Sequence, residues 1–114
     1  MDYVAYHSEE LMGQTLGFGP PYGIFSRKPG SHLLGKRMWI IEGRGKKKTY
    51  FLRQRFTVDA ISEIDDDYFH FRYSGKAGID FTTKIALNDL PRFSAFLESV
   101  ANFKGIVPQK LALL

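Results

Sequence analysis

The chain has 114 residues, no cysteine and a formal net charge of +4, with 44% hydrophobic and 25% charged residues. Its length suits one domain, residues 1–114, with its own apolar core, and its composition excludes wholesale disorder. The lack of cysteine excludes disulfides, thiolate nucleophiles and thiolate metal sites, and it suits a reducing, cytoplasmic setting.

The first half of the chain predicts a strand, a loop and a hairpin. Residues 2–7 alternate in part and predict a strand, whereas residues 17–31 hold four glycines and three prolines and predict a long irregular loop. The apolar run 37–42 predicts a strand buried on both faces. A longer strand is predicted over 49–61, so the two strands form a hairpin with a lysine-rich tip.

The second half predicts another hairpin and a helix. Strands are expected over 68–73 and 79–87, joined by a turn at 74–78. Apolar residues at helical spacing predict a helix over 89–103, with Asn88 as its cap. The fold class is therefore α+β and mostly antiparallel: a curled sheet or small barrel with one C-terminal helix packed on it.

The sequence holds no convincing catalytic or metal motif. Residues 30–37, GSHLLGKR, resemble part of a phosphate-binding loop, but Arg37 replaces the hydroxyl residue and a strand follows where a helix is needed. His7, His32 and His70 are too scattered for a metal pair. We therefore expect no cofactor and no metal, and a non-catalytic binding domain is favoured, although catalysis by residues that the fold brings together stays open.

Basic residues cluster between residues 27 and 55, where Glu42 is the only acid and ten of the sixteen cations lie. In the second hairpin strand, period-two alternation would place Phe51, Arg53 and Arg55 on one face. A face that combines cations with rings suits the phosphates and bases of a nucleic acid. The candidate backbone contacts are Lys36, Arg37, Arg44, Lys46, Lys47, Lys48, Arg53 and Arg55.

Aromatic residues of the glycine- and proline-rich loop suggest a pocket for a planar group. The candidate base or ligand pocket consists of Phe18, Tyr22, Phe25, His32 and Trp39. Two alternatives stay open at this point: the rings can simply fill the core, and the cations can be solvated or paired with the acids at 65–67.

The segments YVAYHSEEL and KRMWIIEGRGKKKTYFLRQRFTVDAI, within residues 2–61, resemble the PUA-like superfamily, which includes the EVE, ASCH and SRA groups. The resemblance implies a curled β-barrel that binds RNA or DNA, in some members by drawing a modified base into an aromatic pocket. Such modules look like the targeting parts of modification-dependent restriction nucleases. The resemblance would place the pocket around Tyr22, Phe25 and Trp39, with Asp2 and Glu42 as the nearby acids.

The sequence thus predicts a nucleic-acid-binding module that recognises modified DNA bases as the specificity domain of a restriction-type system. DNA is favoured over RNA as the partner, and the nuclease would be fused or separately encoded. We expect no export and no membrane span, because no apolar run is long enough. The alternative is a protein-interaction domain that docks an acidic partner through the basic hairpin at 36–55.

Overall fold

The computed structural model describes residues 2–9, 13, 16–17, 19–47, 49–81, 86–99 and 106–108. These residues form strands and one α-helix, joined by short 3-10 turns at Ser31–Leu33 and Leu87–Asp89. The strands are β1 Tyr3–Ser8, β2 Tyr22–Ser26, β3 Arg37–Arg44, β4 Thr49–Thr57, β5 Ala60–Glu63, β6 Phe71–Gly75, β7 Gly78–Asp80 and β8 Ile106–Pro108. The helix, α1, spans Pro91–Ser99.

The strands build two sheets. The large sheet has the order β7-β4-β3-β1-β8, and the small sheet has the order β2-β6-β5. Every pairing is antiparallel except that of β1 with β3. The predicted α+β class with mostly antiparallel strands is confirmed, and in the described residues it takes the form of two curled open sheets, without closure into a barrel.

The large sheet is the middle layer of the molecule, because alternate residues of its strands face opposite sides. One face packs on the small sheet, where the first core cluster comprises Ala5, Tyr22, Ile24, Leu33, Met38, Ile40, Phe56, Val58 and Tyr73. The other face packs on α1, where the second core cluster comprises Val4, Ile41, Leu52, Leu87, Phe93 and Phe96. The prediction that the apolar run of β3 is buried on both faces is therefore confirmed.

The predicted loop over 17–31 contains a strand. Prolines and glycines exclude regular structure near the two ends of this range, but Tyr22 and Ile24 between them point into the first core cluster. Residues 22–26 pair with β6 along their whole length. The loop interpretation was wrong for this stretch because a five-residue strand gives little periodic signal between two strong breakers.

The predicted second hairpin was also wrong, because strands close in sequence join different sheets. After β6, which lies in the small sheet, the chain crosses over and β7 pairs with β4 of the large sheet. The predicted strand 49–61 likewise divides into β4 and β5 at Val58 and Asp59. Asp59 stabilises this crossing, since its carboxylate accepts a hydrogen bond from the amide of Lys76.

The helix prediction is confirmed over Pro91–Ser99, while residues 100–105 lie outside the described part of the chain. Residues 82–85, in the predicted strand 79–87, lie outside it as well. Asn88 lies in the 3-10 turn Leu87–Asp89 and not directly before the helix, which begins at Pro91, and its side-chain oxygen accepts a hydrogen bond from the amide of Tyr50. The first predicted strand is confirmed as β1. Among the residues described, no helix is long and apolar enough to cross a membrane.

Candidate nucleic-acid interface

A β-bulge in β4 separates the two central arginines of the basic hairpin. The register of β3 and β4 shifts between Ile40 and Ile41, which leaves Arg53 as the extra residue on β4. Arg53 is only 5% exposed and turns toward the first core cluster, whereas Arg55 lies over Trp39 on the opposite face of the large sheet. The predicted shared face of Arg53 and Arg55 is therefore wrong.

Trp39 is the centre of a cationic and aromatic surface on the helix-bearing face of the large sheet. The indole stacks on Phe81, with ring centroids 6.0 Å apart and planes 5° from parallel. The guanidinium carbon of Arg55 lies 5.2 Å from the indole centroid, within the range of a cation–π contact. We call Asp2, Arg37, Trp39, Arg55 and Phe81 the Trp39 surface.

Asp2 fixes the orientation of this surface. Its carboxylate accepts hydrogen bonds from Trp39 Nε1 at 2.9 Å and from Arg37 Nε at 3.2 Å. Burial alone would raise the pKa of Asp2, but these two hydrogen bonds and the charge of Arg37 outweigh burial and lower it. Asp2 thus stays ionised near neutral pH, with its oxygens turned toward the protein.

Glu42, the only acid of the basic span, is a fully buried carboxylate between two arginines. Its Oε1 accepts hydrogen bonds from Arg53 Nη1 at 2.6 Å and from Arg44 Nε at 2.7 Å. Its Oε2 accepts the backbone amide of Leu16 at 2.5 Å and lies 3.8 Å from Nε2 of His7. Burial would raise the pKa of Glu42, but the Leu16 amide and the two guanidiniums outweigh it, so the pKa lies below its ordinary value.

Gln54 and Asp80 form a second polar group, which binds the chain just after Leu16. Gln54 Nε2 donates to the carbonyl of Gly17 at 2.8 Å and to Asp80 Oδ1 at 2.9 Å. Asp80 Oδ2 in turn accepts the amide of Gly19 at 2.9 Å and the hydroxyl of Tyr22 at 3.1 Å. Burial, followed by the hydrogen bond and negative charge of Asp80, raises the pKa of Tyr22.

The tip of the β3–β4 hairpin carries solvated cations. Gly45 turns the chain with a φ of +78°, and Lys46 and Lys47 are exposed, while Lys48 lies outside the described residues. Arg44, just before the turn, points back to Glu42. In the part of the chain that the structure describes, no carboxylate pairs with Lys46 or Lys47.

The lysine tip and the Trp39 surface occupy opposite ends of the hairpin. β3 has eight residues, from Arg37 to Arg44. At a rise of roughly 3.3 Å per residue, its two ends are about 23 Å apart. Lys36, which directly precedes β3, and Arg37, which begins it, are also exposed and lie at the Trp39 end.

The predicted pocket residues do not converge on one cavity. Tyr22 is buried in the first core cluster, and Trp39 lies on the opposite face of the large sheet. Phe25 is exposed on the small sheet, and His32 is exposed with its ring edge-on to a tyrosine of β1. Among the four described residues of the predicted pocket, the structure brings no two rings together; Phe18 lies outside the described residues.

The small sheet carries a separate group of exposed rings. Phe25 is 38% exposed and stacks on Phe69, with centroids 5.7 Å apart. Tyr68 is 56% exposed, lies edge-on to Phe69 and carries the guanidinium of Arg27 at 4.7 Å from its centroid. The acidic residue Asp66 orders this turn by accepting the amides of Tyr68 and Phe69.

Sequence reasoning missed the roles of Gln54 and Asp80 and the partners of Glu42. A carboxylate that ends an apolar strand, as Glu42 does, signals a buried charge that needs a partner. No comparable signal marks Asp80, whose partners lie 26 to 61 residues away. The contact between Gln54 and Asp80 follows only from the pairing of β7 with β4.

The described residues contain no group of His, Asp or Glu side chains that could hold a metal ion. Comparisons with known proteins add no assignment: no family model matches the chain, and neither curated proteins nor solved structures show significant similarity to it.

Proposed function

We propose that this chain is a nucleic-acid-binding module that recognises modified DNA bases as the specificity domain of a restriction-type system. The observation that carries the proposal is the Trp39 surface, where an indole and Arg55 lie in contact beside Arg37. Flat rings stack on bases, and guanidiniums bind phosphates or base edges. The resemblance of residues 2–61 to PUA-like domains is the reason for proposing a modified base as the ligand.

Charge supports the same function. The sequence has a net charge of +4, and four of its exposed cations, Lys36, Arg37, Lys46 and Lys47, lie along one hairpin. Contacts between such residues and phosphates release counterions, so they give affinity that falls steeply with salt. We assign phosphate binding to the hairpin tip and base discrimination to the Trp39 end. Arg53 and Arg44 instead form ion pairs with Glu42.

The test is a fluorescence-anisotropy titration with duplexes that are unmodified, methylated or hydroxymethylated, at two salt concentrations. We expect salt-dependent binding that is tighter for one modified duplex. Lys46→Glu should weaken binding to all duplexes and lower the salt slope by about one, as expected for one lost phosphate contact. Lys28→Glu, the same charge change at an exposed lysine just after β2 of the small sheet, is the matched control and should have little effect.

Variants of the Trp39 surface distinguish base recognition from phosphate binding. Trp39→Leu and Arg55→Gln should reduce the preference for the modified duplex, with a loss of about 1–3 kcal/mol for a base-stacking contact. Equal weakening on every duplex would contradict base discrimination by this surface. Equal effects of Lys28→Glu and Lys46→Glu would show that only the net charge matters.

The alternative function, a protein-interaction domain, is favoured by one observation. Phe25 and Tyr68, which both contact the half-buried Phe69, are exposed together with Arg27, and aromatic residues and arginine are enriched in protein interfaces. In this function, the basic hairpin would dock an acidic partner. Co-purification of a stoichiometric acidic protein, without nucleic-acid absorbance, would support it.

A further inference from the structure

We infer that Glu42, Arg53, Gln54 and Asp80 are positioning residues for a nucleic-acid recognition loop. They hold the backbone at Leu16, Gly17 and Gly19, which we call the anchored segment. The inference rests on the proposed function for its ligand, and it adds that DNA is contacted by this segment as well as by the Trp39 surface.

The first argument is that the contacts converge on a very short stretch of chain. The amide and the carbonyl of Leu16 are both bonded, to Glu42 and to Arg53. The carbonyl of Gly17 is bonded to Gln54, and the amide of Gly19 is bonded to Asp80. Side chains from three strands thus form four hydrogen bonds with the main chain of the anchored segment.

The second argument is that the burial of these polar side chains costs free energy of folding. Glu42 is fully buried, and Arg53 and Gln54 are 5% and 3% exposed. A buried ion pair contributes little net stability, and apolar residues of similar size often replace one without loss. Since stability gives these groups little reason to be there, we assign them the role of fixing the position of the loop.

The third argument is the location of the anchored segment. β7 is the edge strand of the large sheet. Asp80, which holds Gly19, and Phe81, which stacks on Trp39, are consecutive residues. The anchored segment reaches this edge through Gly19 on one face of the sheet, and the Trp39 surface, whose centre is on β3, reaches it through Phe81 on the other face. A DNA strand at this edge can contact both.

The fourth argument is the chemistry of the segment itself. Gly17 is exposed, and Gly19 has a φ of +74°, which side chains rarely adopt. Glycines permit close approach of the backbone to a ligand. The hydrogen bonds to the large sheet hold the backbone at Leu16, Gly17 and Gly19 in a fixed arrangement, and discrimination between similar bases requires such fixed contacts.

The experiment uses a double variant that removes both buried charges, Glu42 and Arg53. Glu42→Leu combined with Arg53→Met should leave the melting temperature close to that of the unaltered protein, because the two buried charges are removed together and Arg44, the other partner of Glu42, is 29% exposed and lies 3.9 Å from Glu9. Amide hydrogen exchange should accelerate about tenfold in the anchored segment and stay unchanged in the β3–β4 ladder. The ratio of affinities for modified and unmodified duplexes should fall but stay above one, because the Trp39 surface is intact, while the affinity for the unmodified duplex is retained.

Gln54→Leu provides a second test in which both charges stay in place. It should accelerate exchange at the anchored segment to a smaller extent and reduce the same affinity ratio. Unchanged exchange in both variants would overturn the positioning role. Faster exchange with an unchanged ratio would overturn the recognition role.

The outcome also separates this inference from the proposed function. If the unaltered protein binds no duplex at either salt concentration, the proposed function and the recognition role both fail, and hydrogen exchange still decides whether the four side chains hold the loop. If it binds with a preference that the double variant retains, only the inference fails.

Discussion

At the scale of single residues, ionised carboxylates make the stability of the fold depend on pH. The pKa values of Glu42, Asp2 and Asp66 all lie below their ordinary values. For Asp66 the cause is the pair of amides from Phe69 and Tyr68, whereas for the other two the hydrogen bonds and charges of their donors outweigh burial. A carboxyl whose pKa is depressed by folding stabilises the folded state above its unfolded pKa.

We therefore predict that stability is highest near neutral pH and falls as the pH drops below about 5, as these groups approach their folded pKa values. Urea denaturation at several pH values measures this. Glu42→Gln, which cannot ionise, should be less stable than the unaltered protein at pH 7 and show a flatter dependence on pH. Parallel curves for the two proteins would contradict a contribution from Glu42.

At the scale of elements, the two sheets meet so closely at one point that a side chain has no room. A Cβ atom on Gly75, the last residue of β6, would collide with the carbonyl of Thr57 in β4 and press on the ring of Phe56. Backbone atoms yield less readily than the ends of side chains. This contact therefore fixes the distance between the small sheet and the large sheet.

Gly75→Ala should destabilise the protein by about 1–3 kcal/mol, the usual cost of overpacking. Gly17→Ala is the matched control, because a Cβ atom there meets no neighbour and the φ of Gly17 is not positive. It should change the free energy of unfolding by less than about 0.5 kcal/mol. Similar urea midpoints for both variants would show that the sheets can separate without cost.

At the scale of the whole molecule, the hairpin sets the length of nucleic acid that the proposed interface can span. The ends of β3 are about 23 Å apart, and a duplex rises 3.4 Å per base pair, so about seven base pairs cover the distance from the Trp39 surface to the lysine tip. Affinity should increase with duplex length up to about this size and then level off. Titration of a length series measures this, and Lys46→Glu combined with Lys47→Glu should remove the dependence.

Local patterns predicted the elements better than their partners. The apolar run of β3 and the helical spacing that includes Phe93 and Phe96 identified real elements, because one strand or helix carries the whole signal. The sheet to which β6 and β7 belong depends on contacts between distant residues, which period-two alternation does not encode. The bulge at Arg53 has the same origin, and it moved this arginine from the predicted phosphate face to a buried ion pair.

Trp39 is the only tryptophan in the chain, and it lies half-buried within the proposed base-reading surface. Its indole stacks on the ring of Phe81 and lies within cation–π distance of the Arg55 guanidinium, and its nitrogen is bonded to the carboxylate of Asp2. Light that excites tryptophan selectively therefore reports on this surface alone, without any label. Any molecule that displaces Arg55 and stacks there would change the emission intensity or wavelength, so the protein contains its own optical sensor of occupancy.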